Sequence, residues 1–141
     1  MKTVHALSLA AAAALVLGAC ATTPKEASAD KLARYQSFAG EPLRSIPYNS
    51  SAGRSFDIID DEHMVLEIRP REGYLFSLNG PCLRDSSAPV LSISSQVGRV
   101  SAGFDRVSSL SQPGMTCIVK EIRPIDLKGL REAEKATASP S

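Results

Sequence analysis

Between Phe56 and Leu78 the chain alternates apolar and polar side chains and is broken twice by turn-forming residues. Phe56 and Ile58 alternate with Ser55 and Asp57, Met64, Leu66 and Ile68 with Val65, Glu67 and Arg69, and Tyr74, Phe76 and Leu78 with Leu75, Ser77 and Asn79. A period of two sends successive side chains to opposite faces of a strand. The punctuation is short: Asp60-Asp61-Glu62, then Pro70-Arg71-Glu72-Gly73. Parallel neighbours need a crossover of a dozen or more residues, so turns of about four residues dictate an antiparallel meander.

Ile59, Val65 and Leu75 put apolar groups on the second face as well. That pattern predicts a sheet covered on both sides or curled into a small barrel. More strands are expected on either side of the meander. Ile46 and Tyr48 suit a short one, Val90–Ser94 a fourth, and Val97–Val107 one or two short ones interrupted at Gly98 and Gly103. Each of those glycines suits a β-bulge or a close strand crossing. Met115–Arg123 reads as the last strand, ending at Pro124, because proline cannot donate to a ladder. Ahead of the strands, Leu32, Tyr35 and Ala39, with Phe38 alongside, form one apolar stripe of a short helix. Asp30 is placed to cap it, Gly40 to stop it in a left-handed conformation, and the stripe to pack on a sheet. Past Asp126, Leu127, Leu130 and Glu132–Lys135 suggest a second helix, weakened by Gly129. The expected fold is mainly β: a small antiparallel meander, sheet or partly closed barrel with a short N-terminal helix and a C-terminal helix.

The beginning of the chain follows different rules. After Met1-Lys2 comes Ala6–Leu17, twelve residues of Ala, Leu and Val broken only by Ser8. A membrane-spanning helix needs about 20 apolar residues, whereas a signal-peptide core is shorter. Leu17-Gly18-Ala19-Cys20 follows, and this resembles the lipobox of bacterial lipoproteins. The resemblance implies that Cys20 is the first mature residue and that its sulfur carries diacylglycerol, with acyl chains such as palmitate holding it to a membrane. Two or more chains anchor stably where one barely does. Ala21, rather than Asp, follows the cysteine, which for that family leans towards the outer membrane, periplasmic side. The expected organisation is a signal peptide over 1–19, a flexible tether over 20–29, one β-rich domain over 30–135 and a disordered tail over 136–141.

Losing residues 1–19 leaves 122 of 141 residues, enough for one modest domain. Lys2 leaves with them, so 15 basic residues face 15 acidic ones. A neutral chain with interspersed charges has no electrostatic reason to bind nucleic acid. Membrane contact through the lipid anchor and an envelope protein partner are the expected associations.

With Cys20 acylated, Cys82 and Cys117 remain. An even pair in an oxidising compartment reads first as a disulfide, joining the end of the third strand to the last strand. The alternatives are a redox pair or a metal site, but the chain has no Cys-x-x-Cys and one mature histidine. A closed loop of about 36 residues would contribute up to about 3.8 kcal/mol through chain entropy. His63, beside Asp60-Asp61-Glu62, has the chemistry of a ligand or general base, yet three or four ligands at workable spacing are wanting for zinc, and the calcium-loop pattern is missing. No Gly-x-Ser-x-Gly elbow or phosphate-binding glycine loop occurs. No catalytic residue, metal or cofactor is therefore assigned. A different reading places a ligand or substrate in a cleft lined by Arg69, Arg84, Arg99, Arg106 or Arg123, with Asp105 as a charged partner. Most aromatics fall at inward positions, Tyr48 in the turn-rich segment being the exception.

Longer phrases carry a wider resemblance. These are Tyr35…Phe38-Ala39-Gly40-x-Pro42, Gly73-Tyr74-Leu75-Phe76-x-Leu78…Pro81-Cys82 and Phe104-Asp105-x-Val107…Cys117-Ile118-Val119-x-x-Ile122-Arg123-Pro124-Ile125-Asp126. Together with the lipobox they resemble a family of small proteobacterial lipoproteins with a domain of unknown function. Where that pattern has a tryptophan before the first meander strand, this chain offers Phe56. The resemblance implies the anchor and the disulfide, and it supplies no catalytic or binding residues. The function expected is that of a lipid-anchored, non-enzymatic envelope protein, a binding or assembly module.

Overall fold

The alternating segments do form a meander. A computed structural model describes residues 26–49, 55–84, 91–112 and 114–138. In it β2 (Ser55–Ile58), β3 (His63–Arg69) and β4 (Glu72–Leu78) pair antiparallel in sequence order. The third neighbour is not β5 but the last strand, β8 (Thr116–Ile125), so the six-stranded order is β2-β3-β4-β8-β7-β5. There β5 is Leu91–Ile93 and β7 is Arg106–Ser109. A separate antiparallel pair joins β1 (Ser45–Pro47) to β6 (Arg99–Ser101). Val90, expected in β5, lies outside the described residues.

The ten-residue β8 is what bends this sheet. Its first three residues pair with β7, and its later residues pair with β4 along the other edge. On the edge that β7 vacates, Gly103 N–H donates to Val119 O at 2.7 Å, Leu43 N–H to Ile122 O at 2.8 Å and Gly40 N–H to Pro124 O at 2.8 Å. The sheet thus curls into a half-barrel whose concave side is filled by Met64, Leu66, Phe76, Val100, Val107, Val119 and Ile122, all essentially inaccessible to water. Tyr48 joins this interior, so the aromatic that seemed exceptional by position is core.

The convex side is covered by two helices, α1 (Ser28–Ser37) and α2 (Leu127–Ala138). Tyr35, Leu127 and Leu130 bury Ile59, Val65, Leu75 and Ile125 beneath them. This is why apolar residues recur on both faces of the strands: one set lines the half-barrel and the other seats the helices.

Several local expectations are revised. α1 starts at Ser28, inside the expected tether, and Asp30 is not its cap; Ala27 occupies that position without a side-chain bond, while Asp30 complements the dipole in the first turn. The helix stops at Phe38 in an ordinary conformation, and Gly40 is not left-handed. Gly40 is small because a Cβ there would meet the Pro124 ring at 3.1 Å. β8 runs through Pro124 to Ile125. In a strand the N and C=O of one residue face the same way, and Pro124 O faces Gly40, so the missing donor faces irregular backbone rather than β4. The β3–β4 turn is only Pro70-Arg71, with a register irregularity between Glu67 and Arg69. Gly98 is not a bulge. With Val97 it forms a two-residue turn of positive φ (51° and 70°), closed by reciprocal Gln96–Arg99 backbone bonds at 3.0 Å. Gly103, φ +82°, turns the chain between β6 and β7. α2 reaches Ala138, past the point where fraying was expected. Gly129 sits at its start, where Asp126 Oδ1 accepts Gly129 N–H at 3.0 Å and a Cβ at 129 would lie 2.6 Å from Asp126 Oδ2.

Candidate functional site

Two concave regions stand out among the described residues. The larger is a polar cleft of about 800 Å³ between the start of α1, the β2–β3 turn and the segment after β4, lined among others by Glu26, Lys31, Asp60, Asp61, His63 and Arg84. His63 Nδ1 lies 2.8 and 2.9 Å from the two carboxylate oxygens of Asp60, and Asp60 Oδ1 also accepts the N–H groups of Glu62 and His63 at 2.8 Å. A carboxylate orienting one imidazole nitrogen leaves the other to work, which is the arrangement of an oriented base. The same contacts also lock the turn. Asp61 O receives Leu83 N–H at 3.0 Å and Glu62 O receives Leu78 N–H at 2.8 Å, which ties the turn to the end of β4. The cleft's cations are already paired: Lys31 with Asp57 at 2.7 Å and Arg84 with Asp61 at 3.4 Å. No three His, Cys, Asp or Glu side chains among the described residues are grouped so as to hold a metal ion.

The second region is an apolar groove of about 570 Å³ beside β8, lined by Leu43, Ala102 and Phe104 and edged by Arg44, Lys120 and Glu121. Phe104 is 81 % exposed. The alternation of strands gave no warning of it, because Phe104 sits in the turn after Gly103, where period carries no information about facing.

Of the five arginines offered for a ligand cleft, only Arg84 lines one of the concave regions described above. Arg84 lies at the polar cleft, Arg69 pairs with Glu72 at 3.5 Å, Arg123 bonds Glu121 at 2.5 Å, and Arg99 donates to Ser45 Oγ at 2.7 Å. Arg106 presents its backbone N–H to Ser94 Oγ at 2.8 Å. Asp105 partners none of them. It is buried, and its carboxylate accepts Ser94 Oγ–H at 2.8 Å and Ser101 N–H at 2.7 Å, pinning the β6–β7 turn to the end of β5.

Cys82 and Cys117 form a disulfide, with Cα atoms 5.9 Å apart. It ties the segment after β4 to the start of β8. Cys20 lies outside the described residues. Two tyrosines are perturbed. Tyr74 is pushed up to about 12 by burial and by donating to Glu72 Oε1 at 2.8 Å. Tyr35 is raised further, first by burial and then by its bond to Asp57 Oδ2 at 2.5 Å. No helix among the described residues is long and apolar enough to cross a membrane, which leaves the matter of strands aside.

These features define a disulfide-linked, antiparallel half-barrel with helices on its convex face. The chain belongs to a family of unknown function (DUF6491), whose pattern matches residues 3–141. No curated protein matches it. No solved structure matches it either.

Proposed function

We propose that this chain is a lipid-anchored envelope protein, held through Cys20 at the periplasmic side of the outer membrane, and that it works as a binding or assembly module. The observation that carries the reading is the fate of the cysteines. Of the three in the chain, Cys82 and Cys117 are consumed in a disulfide, and the third stands in Leu17-Gly18-Ala19-Cys20 after a short apolar leader. A structural disulfide fits an oxidising compartment, and the leader fits export to one. The family match begins at residue 3 and so takes in the leader. A binding role draws support from the open apolar groove around Phe104, since exposed apolar surface of that kind favours association.

Metabolic labelling with a fatty-acid analogue, followed by membrane fractionation, tests the anchor. The wild-type chain is expected to carry label and sediment with outer membrane, and Cys20→Ala to lose both. An unlabelled wild-type chain overturns the anchor. In-envelope crosslinking tests the module: a specific protein captured by wild type and lost in Phe104→Ser supports it, whereas a co-purifying metabolite without a protein partner favours ligand binding.

A further inference from the structure

The β4–β8 ladder is finished by a side chain. Beyond the irregularity between Ser77 and Leu78, Asn79 donates its backbone N–H to Ile118 O at 3.1 Å. Its Oδ1 then accepts Ile118 N–H at 2.7 Å, taking the part a main-chain carbonyl plays elsewhere in the ladder. Asn79 itself is exposed and is followed by Gly80. Gly80 lies against the disulfide: its carbonyl oxygen accepts Cys82 N–H at 2.9 Å and is 3.3 Å from Cys117 Sγ. An asparagine followed by glycine is chemically labile, because the glycine nitrogen has no neighbouring Cβ to hinder its approach to the side-chain amide.

We propose that Asn79-Gly80 is a latent deamidation site that the folded, disulfide-bonded chain holds shut. In the reaction the Gly80 nitrogen gives up its proton and bonds to Asn79 Cγ, and ammonia leaves. Water then opens the resulting succinimide to aspartate or isoaspartate. Asn79 Cγ reaches that nitrogen only after Oδ1 releases Ile118 N–H, so the rate follows local opening of the ladder end. The disulfide restrains both chain segments at this end, one through Cys82 and the other through Cys117. A chain whose two cysteines are still thiols opens here more often. Isoaspartate lengthens the main chain by one carbon and cannot restore the register with Ile118. The site therefore records time spent without the disulfide.

The test follows modification of residue 79 by peptide mass mapping at neutral pH, in folded oxidised protein, in protein reduced with a dithiol, and in oxidised protein unfolded in urea. Deamidation is expected to be fastest in urea, intermediate after reduction and at least about tenfold slower in the folded oxidised chain, as local protection requires. Equal rates in folded and unfolded chains overturn the proposal, as does an unfolded chain that stays intact at residue 79. Equal rates in folded oxidised and reduced chains remove the disulfide from it. Gly80→Ala is the chemical control: its methyl would meet Cys117 Sγ at an ordinary 3.4 Å, so the fold survives while the unfolded-chain reaction is suppressed. A Gly80→Ala chain that deamidates at the wild-type rate in urea refutes the succinimide route.

Discussion

The two faces of the sheet are held by different physics. On the concave face Phe76, Met64, Leu66, Ile122, Val100 and Val107 pack with almost no water contact. On the convex face the apolar set is smaller and is interleaved with charge. Asp57 shares that face with Val65 and Leu75, and it receives both Tyr35 Oη–H at 2.5 Å and Lys31 Nζ at 2.7 Å from α1. Glu67 does the same for α2, meeting Arg131 Nη2 at 2.7 Å, while Arg131 Nη1 also donates to Pro70 O at 2.5 Å. Arg34 bridges from α1 to Glu134 of α2 at 3.4 Å. The interior is thus set by shape and burial, and the helical layer by shape plus directed polar latches. The polar residues that alternate with the apolar ones along β2 and β3 are the fastening points of the helices.

The largest break in this comparison is expected at the concave core. Phe76→Ala removes a fully buried ring and should cost about 3–5 kcal/mol, read as a fall in the urea midpoint with near-constant slope. The convex layer should respond less. At Gly73 a Cβ would lie 2.6 Å from Leu127 Cδ1 and 2.9 Å from Leu127 Cγ, so Gly73→Ala must shift the buried Leu127 side chain of α2 and should cost about 1–3 kcal/mol. If Gly73→Ala proves as damaging as Phe76→Ala, the two layers are not separable.

Alkaline titration probes both faces. Tyr74 is held up at about 12 against an ordinary 10.0, first by burial and then by Glu72, and Tyr35 is raised by burial and Asp57. Between those values the folded chain keeps protons that the unfolded chain has lost, so stability falls as pH rises. The contribution is whole below pH about 10 and is lost on the way to the folded values. Urea midpoints should therefore drop above pH about 10, and Tyr74→Phe should make that drop shallower, since the substituted ring has no proton to lose. The smallest effect is a gain. Val97 is fully exposed with φ 51°, where a β-branched side chain is strained, so Val97→Gly should stabilise by about 1 kcal/mol. No gain there would mean that the turn is held by something other than its backbone preference.

The meander was legible because period two survives in any chain whose strands are half-buried, and because short turns forbid crossovers. Placing β8 next to β4 was not. It depends on which edge is free when the last strand arrives, and no local pattern encodes that. The places of Pro124 and Gly129 were not legible for a related reason. Each was judged by what it does to an isolated strand or helix, whereas Pro124 O is an acceptor for Gly40 and Gly129 makes room for the Asp126 cap. At the candidate site, His63 and Asp60 were visible as neighbours in sequence, but the cleft they share with Lys31 and Arg84 is brought together from three distant segments. Side-chain type by itself does not place the five arginines: Arg84 lines the polar cleft, Arg99 reaches across to Ser45, and Arg123 bonds Glu121.

By itself the sequence determined the strand periodicity and the Leu17-Gly18-Ala19-Cys20 pattern on which the proposed anchor rests, since these depend only on residue type and spacing. The tertiary structure decided the strand order, the division of apolar residues between two cores and the use of Asp57 and Glu67 as latches. Those depend on which groups meet across the sheet, and only the closed packing of the whole chain brings them together.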